Sequence, residues 1–127
     1  MLKYLIILLI ISGNLYAKEQ VSDSNLMIFI SSSIPKESLK NYYIEAKKYN
    51  GILLIRGFVN NSLKDTVSYF KKAGEEGVRV SIDPASFKKY NITAVPVIII
   101  KDSNSDSNSY HKITGNVTVN YALQQIN

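Results

Sequence analysis

The strongest constraint on the fold of this chain is a series of apolar segments that are too short for buried helices. Three of them lie at residues 25–30, 52–58 and 97–100. Runs of this length, rich in β-branched and aromatic residues, predict buried strands, which are typical of a sheet covered on both faces. Two less apolar strands are predicted at 78–82 and 110–114, and the latter forms a hairpin with 97–100.

Helical patterns lie between these strands. The first helix is predicted to start from serine caps within 31–33, with Pro35 in its first turn, and to end at Asn50 and Gly51. Its apolar positions at helical spacing are Leu39, Tyr43 and Ala46.

The second predicted helix has Ser62 as its N-cap and Asp65 in the capping-box position. Its apolar stripe, the side that a surface helix turns towards the core, consists of Leu63, Val67 and Phe70. A short third helix is predicted to begin with Asp83 as its cap and Pro84 as its first helical residue. The last helix carries an apolar face of Val119, Ala122, Leu123 and Ile126.

The order of elements, β-α-β-α-β-α-β-β-α, predicts an α/β fold with one mixed sheet and helices on both faces. This order resembles that of thioredoxin-like domains. We expect a signal peptide at 1–17, a short linker at 18–25 and a single domain at 26–127.

The amino-terminal segment has the layout of a secretory signal peptide. Lys3 precedes an apolar core at 4–11, and a polar break at 12–14 precedes Ala17, after which we predict cleavage. The apolar core is far shorter than the roughly 20 residues that span a bilayer. We therefore expect no stable membrane insertion after cleavage, and an uncleaved anchor is the alternative.

The charge pattern argues against a nucleic-acid surface. The formal net charge is +5, but the lysines are spread in pairs rather than massed on one stretch. Paired lysines are typical of solvated helix faces, so we expect no nucleic-acid partner. The chain also contains no cysteine, which excludes both a disulfide and a thiol redox centre.

Pro96 lies at the entrance to the 97–100 strand, where a proline is tolerated. Thioredoxin-like domains place a cis-proline at this position beside a Cys-x-x-C pair, so we predict a cis Val95–Pro96 bond. A trans proline that starts an edge strand is the alternative. The loop that carries the cysteines in such domains holds Ser33, Ile34, Pro35 and Lys36 here.

Three segments are candidate partner-binding sites, because ligands of open α/β sheets dock at strand ends. They are Ser33, Ile34, Pro35 and Lys36 after the first strand, Arg56, Phe58 and Val59 after the second, and Ala94 and Val95 before Pro96. The proline would hold Ala94 and Val95 extended, so that a partner strand could pair with them. Arg56 is either an interface anchor or a tether that binds loop carbonyls.

Catalytic and metal-binding alternatives rest on weaker patterns. A hydrolase built from Ser33, His111 and Asp83 is conceivable, but a serine needs a positioned base, and no histidine lies near it in sequence. The polar tip "DSNSDSN" imitates a calcium loop but lacks its glycine and glutamate, because Ser107 and Ile113 occupy those positions. We expect neither a metal nor a cofactor.

Several stretches resemble the TrbC family of type-F conjugative transfer proteins, which act in pilus assembly. They extend from Met27 to Ile126 and contain these motifs: Ser33-Ile34-Pro35 with Leu39, Arg56-Gly57, Ile82-Asp83-Pro84 with Phe87, Val95-Pro96, and Gly115-Asn116-Val117 with Tyr121-Ala122-Leu123. The resemblance implies a periplasmic, thioredoxin-like protein without a Cys-x-x-C pair, associated with a TraW-type partner. It implies no catalytic residues.

We therefore expect a non-catalytic assembly factor for the conjugative pilus of a type-F type IV secretion system. It would act in the periplasm by binding other pilus-assembly proteins. An enzyme on the same fold, either a Ser33-dependent hydrolase or a redox helper, is the alternative.

Overall fold

The computed structural model describes residues 24–102 and 109–126. The predicted signal peptide, most of the predicted linker and the centre of the predicted hairpin tip lie outside these residues. Among the described residues, no helix is both long and apolar enough to cross a membrane.

The described elements follow the predicted order, except that the second predicted helix is divided in two. The strands are β1 (Leu26–Phe29), β2 (Ile52–Ile55), β3 (Arg79–Ile82), β4 (Val97–Lys101) and β5 (Tyr110–Thr114). The helices are α1 (Lys36–Lys48), α2 (Leu63–Tyr69), α3 (Lys71–Glu75), α4 (Pro84–Lys89) and α5 (Val119–Gln125), and a 3-10 turn spans Val59–Asn61. The second strand is shorter than predicted, since the chain bends at Arg56 and Gly57.

The strands form one sheet in the order β3-β2-β1-β4-β5. β1 pairs in parallel with β2, and β2 with β3, whereas β4 is antiparallel to both β1 and β5. At the centre, Met27 of β1 lies between Ile52 of β2 and Ile99 of β4. The predicted α/β fold with a mixed sheet is confirmed.

Alternate strand residues supply two hydrophobic cores, one on each face of the sheet. The larger core packs residues such as Ile28, Leu53 and Ile98 against α1, α3 and α5. The smaller core packs residues such as Met27 and Leu54 against α4. All five side chains are fully buried, and each contributes about 1.5–3 kcal/mol relative to an exposed position. Helices therefore cover both faces of the sheet.

The start of α1 differs from the prediction. Its N-cap is Pro35, and no side chain caps the helix. The predicted serine caps are wrong because Ser31 and Ser33 bond to each other instead. Their hydroxyl oxygens lie 2.6 Å apart, and Ser33 N donates a hydrogen bond to Ser31 Oγ at 3.1 Å.

The second predicted helix breaks at Phe70 into α2 and α3. Its predicted cap is confirmed, since Ser62 Oγ accepts a hydrogen bond from Asp65 N at 3.1 Å. The predicted apolar stripe does not form part of the core as a unit. Leu63 and Val67 are 60% and 63% exposed, and only Phe70 is buried.

Thr66 explains the orientation of α2. It is the buried residue of this helix, and its hydroxyl makes two short hydrogen bonds. Thr66 Oγ1 donates to Ser62 O and accepts from Val59 N, both at 2.7 Å. Because these bonds turn Thr66 towards the protein, Leu63 and Val67 point into solvent.

A connection between α1 and α5 was not predicted. The two carboxylate oxygens of Glu45 in α1 accept hydrogen bonds from the backbone N–H groups of Val119, at 2.8 Å, and Asn120, at 3.1 Å. Tyr42 Oη donates to Val117 O at 2.7 Å. Burial, and secondarily the negative charge of Glu45, raises the pKa of Tyr42 to about 12. These contacts fix the start of α5 on α1.

Candidate functional site

The three predicted partner-binding segments meet at one edge of the sheet. Because β1 and β2 are parallel, both end at this edge. The antiparallel β4 begins there, with Val97 opposite Phe29. We call this region the carboxyl edge and define it by the loops 30–35, 56–62 and 92–96.

Arg56 joins two of these loops. Its Nη2 donates a hydrogen bond to the carbonyl oxygen of Ile92 at 2.7 Å. Its Cζ lies 5.1 Å from the centre of the Phe87 ring, a distance at which the ring attracts a cation. These contacts favour the tether over the interface anchor as the main role of Arg56, although the residue remains exposed.

Phe58 is an exposed apolar side chain of the carboxyl edge. It is 47% exposed, and the neighbouring Val59 is partly buried against the larger core. Asn60 and Asn61 then turn the chain with φ values of 51° and 58°, a left-handed conformation that asparagine tolerates better than most residues. Because aromatic residues are enriched in protein interfaces, Phe58 is suited to anchor a partner.

The segment before β4 presents unpaired backbone groups. The Val95–Pro96 peptide bond is cis. Ala94 is exposed, and Val95 is half-buried against both cores. Within the described part of the chain, no backbone–backbone hydrogen bond involves Ala94 or Val95, whereas Pro96 O accepts one from Gly115 N at 3.1 Å. The chain bends at both residues, so the extended conformation predicted for them is wrong. Their unpaired N–H and C=O groups nevertheless leave hydrogen-bonding positions that an extended partner segment can occupy.

The loop after β1 contributes exposed residues on a buried anchor. Ser33, Pro35 and Lys36 are exposed. Ile34 is 5% exposed and belongs to the larger core. It therefore holds the loop in place from inside and, contrary to the prediction, offers no surface to a partner. Tyr69 supports the loop from α2, since its hydroxyl donates to a backbone carbonyl of the loop at 3.3 Å.

The structure separates the residues of the catalytic alternative. His111 lies opposite Ile100, which pairs with the first residue of β1, whereas Ser33 follows the end of that strand. Asp83 caps α4 as predicted, and its two carboxylate oxygens accept hydrogen bonds from the N–H and Oγ of Ser86 at 3.0 and 2.7 Å. The three side chains are therefore not brought together.

Metal ligands are not clustered in the described regions. Across residues 24–102 and 109–126, no group of three or more histidine, aspartate or glutamate side chains could hold a metal ion. Most of the tip that imitates a calcium loop lies outside these residues.

A groove between α1 and the α2–α3 segment was not predicted. Its cavity has a volume of about 520 Å³. On α1, the groove is lined by Lys36, Lys40 and Ile44, which follow one another at a spacing of four residues. That spacing marks one face of a helix. The spacing of these residues could therefore have indicated this surface from the sequence. The opposite wall, formed by the α2–α3 segment, is known only from the fold.

Comparison with known proteins shows which family this sequence matches. Residues 28–126 match the family model described as "Type-F conjugative transfer system pilin assembly protein". The chain is also 36% identical over 104 residues to the periplasmic protein TrbC of Escherichia coli (strain K12). This similarity covers 79% of the chain but 46% of that relative, so the chain spans about half the relative's length. No solved structure matches the chain. Because the family model spans nearly all of the described domain, this protein belongs to the family of type-F conjugative transfer system pilin assembly proteins.

Proposed function

We propose that this protein acts in the periplasm as a non-catalytic factor in the assembly of the conjugative pilus, by binding other assembly proteins at its carboxyl edge. The family description and the periplasmic relative support the place and the process. The main support for the binding mechanism is the unpaired backbone of Ala94 and Val95. These residues lie at the same edge as the exposed Phe58.

The binding mode combines strand pairing with an aromatic anchor. An extended partner segment pairs with the N–H and C=O groups of Ala94 and Val95, which supplies affinity with little dependence on partner sequence. Phe58 contacts an apolar side chain of the partner, which supplies specificity. The Arg56 bond to Ile92 O keeps the two loops at a fixed distance. The partner that the family resemblance suggests is a TraW-type protein.

The proposal includes a thioredoxin-like fold for this domain. Its support is the order β2-β1-β4-β5, with a parallel first pair and an antiparallel second and third pair. A cis-proline precedes β4, opposite the loop that follows β1. In this fold the loop would carry the redox cysteines, and here it carries Ser33 and Pro35. The same position thus serves protein binding instead of thiol chemistry.

The test is complementation of a donor strain that lacks the gene, with the full chain or its variants. Phe58→Ser is expected to reduce capture of pilus-assembly proteins about 10-fold or more, because burial of a phenylalanine contributes roughly 1.5–3 kcal/mol. Pilus number and transfer frequency should fall accordingly. Val67→Ser, which changes an apolar residue of similar exposure on α2, is the matched control and should assemble pili normally.

Two outcomes would contradict the proposal. The binding mechanism fails if folded Phe58→Ser protein captures its partners and assembles pili as the wild type does. The enzyme alternative gains support if Ser33→Ala abolishes pilus assembly while partner capture is retained.

A further inference from the structure

The groove between α1 and the α2–α3 segment has a floor of largely buried apolar residues and one exposed apolar residue on its wall. Leu39 and Tyr43 form part of this floor and are 5% and 6% exposed. Ile44 lines the groove as well and is 54% exposed. Since an exposed isoleucine gains free energy when it is removed from water, Ile44 is a candidate contact for an apolar ligand.

The rim of the groove is positively charged. Lys36 and Lys40 line it from α1, and Lys72 lines it from α3. The carboxylate on the lining is that of Glu76, which lies 3.9 Å from Lys72 Nζ in an exposed ion pair. Three lysines thus face one glutamate, and the groove complements an acidic ligand.

The polar groups of the floor are hydroxyls. Burial, and secondarily the nearby Tyr69 and Glu76, raises the pKa of Tyr43 to about 12. Tyr69 also lines the groove and donates a hydrogen bond to Ser32 O at 3.3 Å. Through that contact the groove is continuous with the loop 30–35 of the carboxyl edge.

We propose that this groove binds an acidic amphipathic helix of a partner protein. The inference rests on the proposed function, and it assigns a second contact surface and the chemistry of its ligand. Apolar residues of the helix contact Ile44 and the floor, while its flanking carboxylates pair with Lys36, Lys40 and Lys72. Binding of the apolar face of an amphipathic helix in a hydrophobic groove is a recurring mode of peptide recognition.

The dimensions fit this ligand. Lys36 and Ile44 are eight positions apart on α1, which corresponds to about 12 Å along the helix axis. A ligand helix of two to three turns matches that length, with apolar residues at positions i, i+3, i+4 and i+7.

A second copy of this chain is a poor occupant. None of the described helices carries a net negative charge, and α1 itself has four lysines against two glutamates. A second copy therefore offers no acidic helix to the groove, and placing α1 of that copy there would bring lysines against lysines. An anionic lipid surface shares the charge preference, but a bilayer does not offer a convex apolar ridge to fill the groove.

The experiment measures fluorescence anisotropy with the full chain expressed for export and purified from the periplasm. The probe is a labelled 18-residue helical peptide with leucines at i, i+3, i+4 and i+7, flanked by glutamates. A second peptide carries lysines instead of glutamates. The acidic peptide should bind at least 10-fold more tightly than the basic one. Lys40→Glu should weaken its binding about 5-fold, because each exposed ion pair contributes roughly 0.2–1 kcal/mol and the reversal adds repulsion.

Two further variants identify the surface. Ile44→Ser should weaken binding of the acidic peptide about 5-fold, because an apolar contact is lost. Val67→Ser, an exposed apolar residue outside the groove lining, should leave it unchanged. Equal binding of the two peptides, or unchanged binding by Lys40→Glu, would overturn the proposal. So would tight binding to phosphatidylglycerol vesicles without peptide binding, which would indicate a lipid-binding surface.

These measurements distinguish a failure of the groove proposal from a failure of the proposed function. If the peptide does not bind but Phe58→Ser still blocks pilus assembly, the groove proposal fails and the carboxyl edge stands. If the peptide binds as expected but Phe58→Ser and Lys40→Glu both assemble pili normally, the groove chemistry stands and the proposed function fails.

Discussion

The two walls of the groove, α1 and the α2–α3 segment, start from similar sequence patterns and reach different structures. Both follow a central parallel strand, and both carry apolar residues at helical spacing. α1 runs for 13 residues and buries Leu39, Tyr42, Tyr43 and Ala46. α2 runs for 7 residues and exposes Leu63 and Val67. Helical spacing thus identifies a helix, but it does not reveal whether the apolar side is covered.

The difference has a local cause and a long-range cause. On α2, the hydroxyl of Thr66 binds the preceding turn, which directs this polar residue inward. On α1, α5 packs alongside and is attached through Glu45 and Tyr42. Because α5 packs on α1, the apolar side of α1 becomes part of the core, whereas α2 lies at the margin and leaves single apolar residues exposed to solvent, as is common at protein surfaces.

The largest expected effect is the loss of stability when a buried residue of α1 is shortened. Leu39→Ala should lower the free energy of unfolding by about 2–5 kcal/mol, because it removes buried methyl groups and leaves a cavity. Leu63→Ala is the matched change on α2 and should stay within about 0.5 kcal/mol of the wild type. Urea unfolding followed by circular dichroism measures both. Equal losses for the two variants would show that α2 is packed as tightly as α1.

The second largest expected effect is a loss of stability at alkaline pH. The pKa of Tyr42 rises from 10.0 to about 12 in the folded protein, so the unfolded chain releases this proton first. The stabilising contribution is therefore fully present below pH 10 and is lost as the pH rises to about 12. The loss is on the order of 2 kcal/mol. Urea unfolding at stepwise pH should show it in the wild type.

Tyr42→Phe should make this alkaline loss smaller, since the titrating hydroxyl is absent. Tyr43 in the same helix also has a raised pKa, so part of the loss remains. Tyr121→Phe, at a residue that is 49% exposed, is the control. An alkaline loss of the same size in Tyr42→Phe and wild type would contradict the assignment.

The smallest expected effect on stability concerns glutamates on the two walls of the groove. Glu45→Ala should destabilise the protein by about 1 kcal/mol, because two backbone N–H groups of α5 lose their acceptor. Glu75→Ala on α3 removes an exposed partner that lies 3.9 Å from Lys71 and should change stability by less than about 0.5 kcal/mol. Thermal unfolding distinguishes them, and a Glu75 effect as large as that of Glu45 would contradict the role of Glu45.

The candidate site also has some features that sequence patterns predicted and others that depend on the fold. Sequence patterns predicted all three loops of the carboxyl edge, because strand ends and the proline before β4 can be recognised locally. They did not predict that Ile34 is buried under its loop, and they left open whether Arg56 is a tether, a role that its bond to Ile92 O favours. Both depend on the sheet order, which places β1 between β2 and β4.

The sequence by itself determined the order of strands and helices, the caps at Ser62 and Asp83, and membership of the family. These features depend on residues within a few positions of one another, or on motifs read in order. Only the tertiary structure decided which apolar stripe is covered, which loops meet, and that Glu45 caps a helix 74 residues away. Burial and long-range hydrogen bonds depend on which elements become neighbours, and periodicity along one segment carries no information about its neighbours in space.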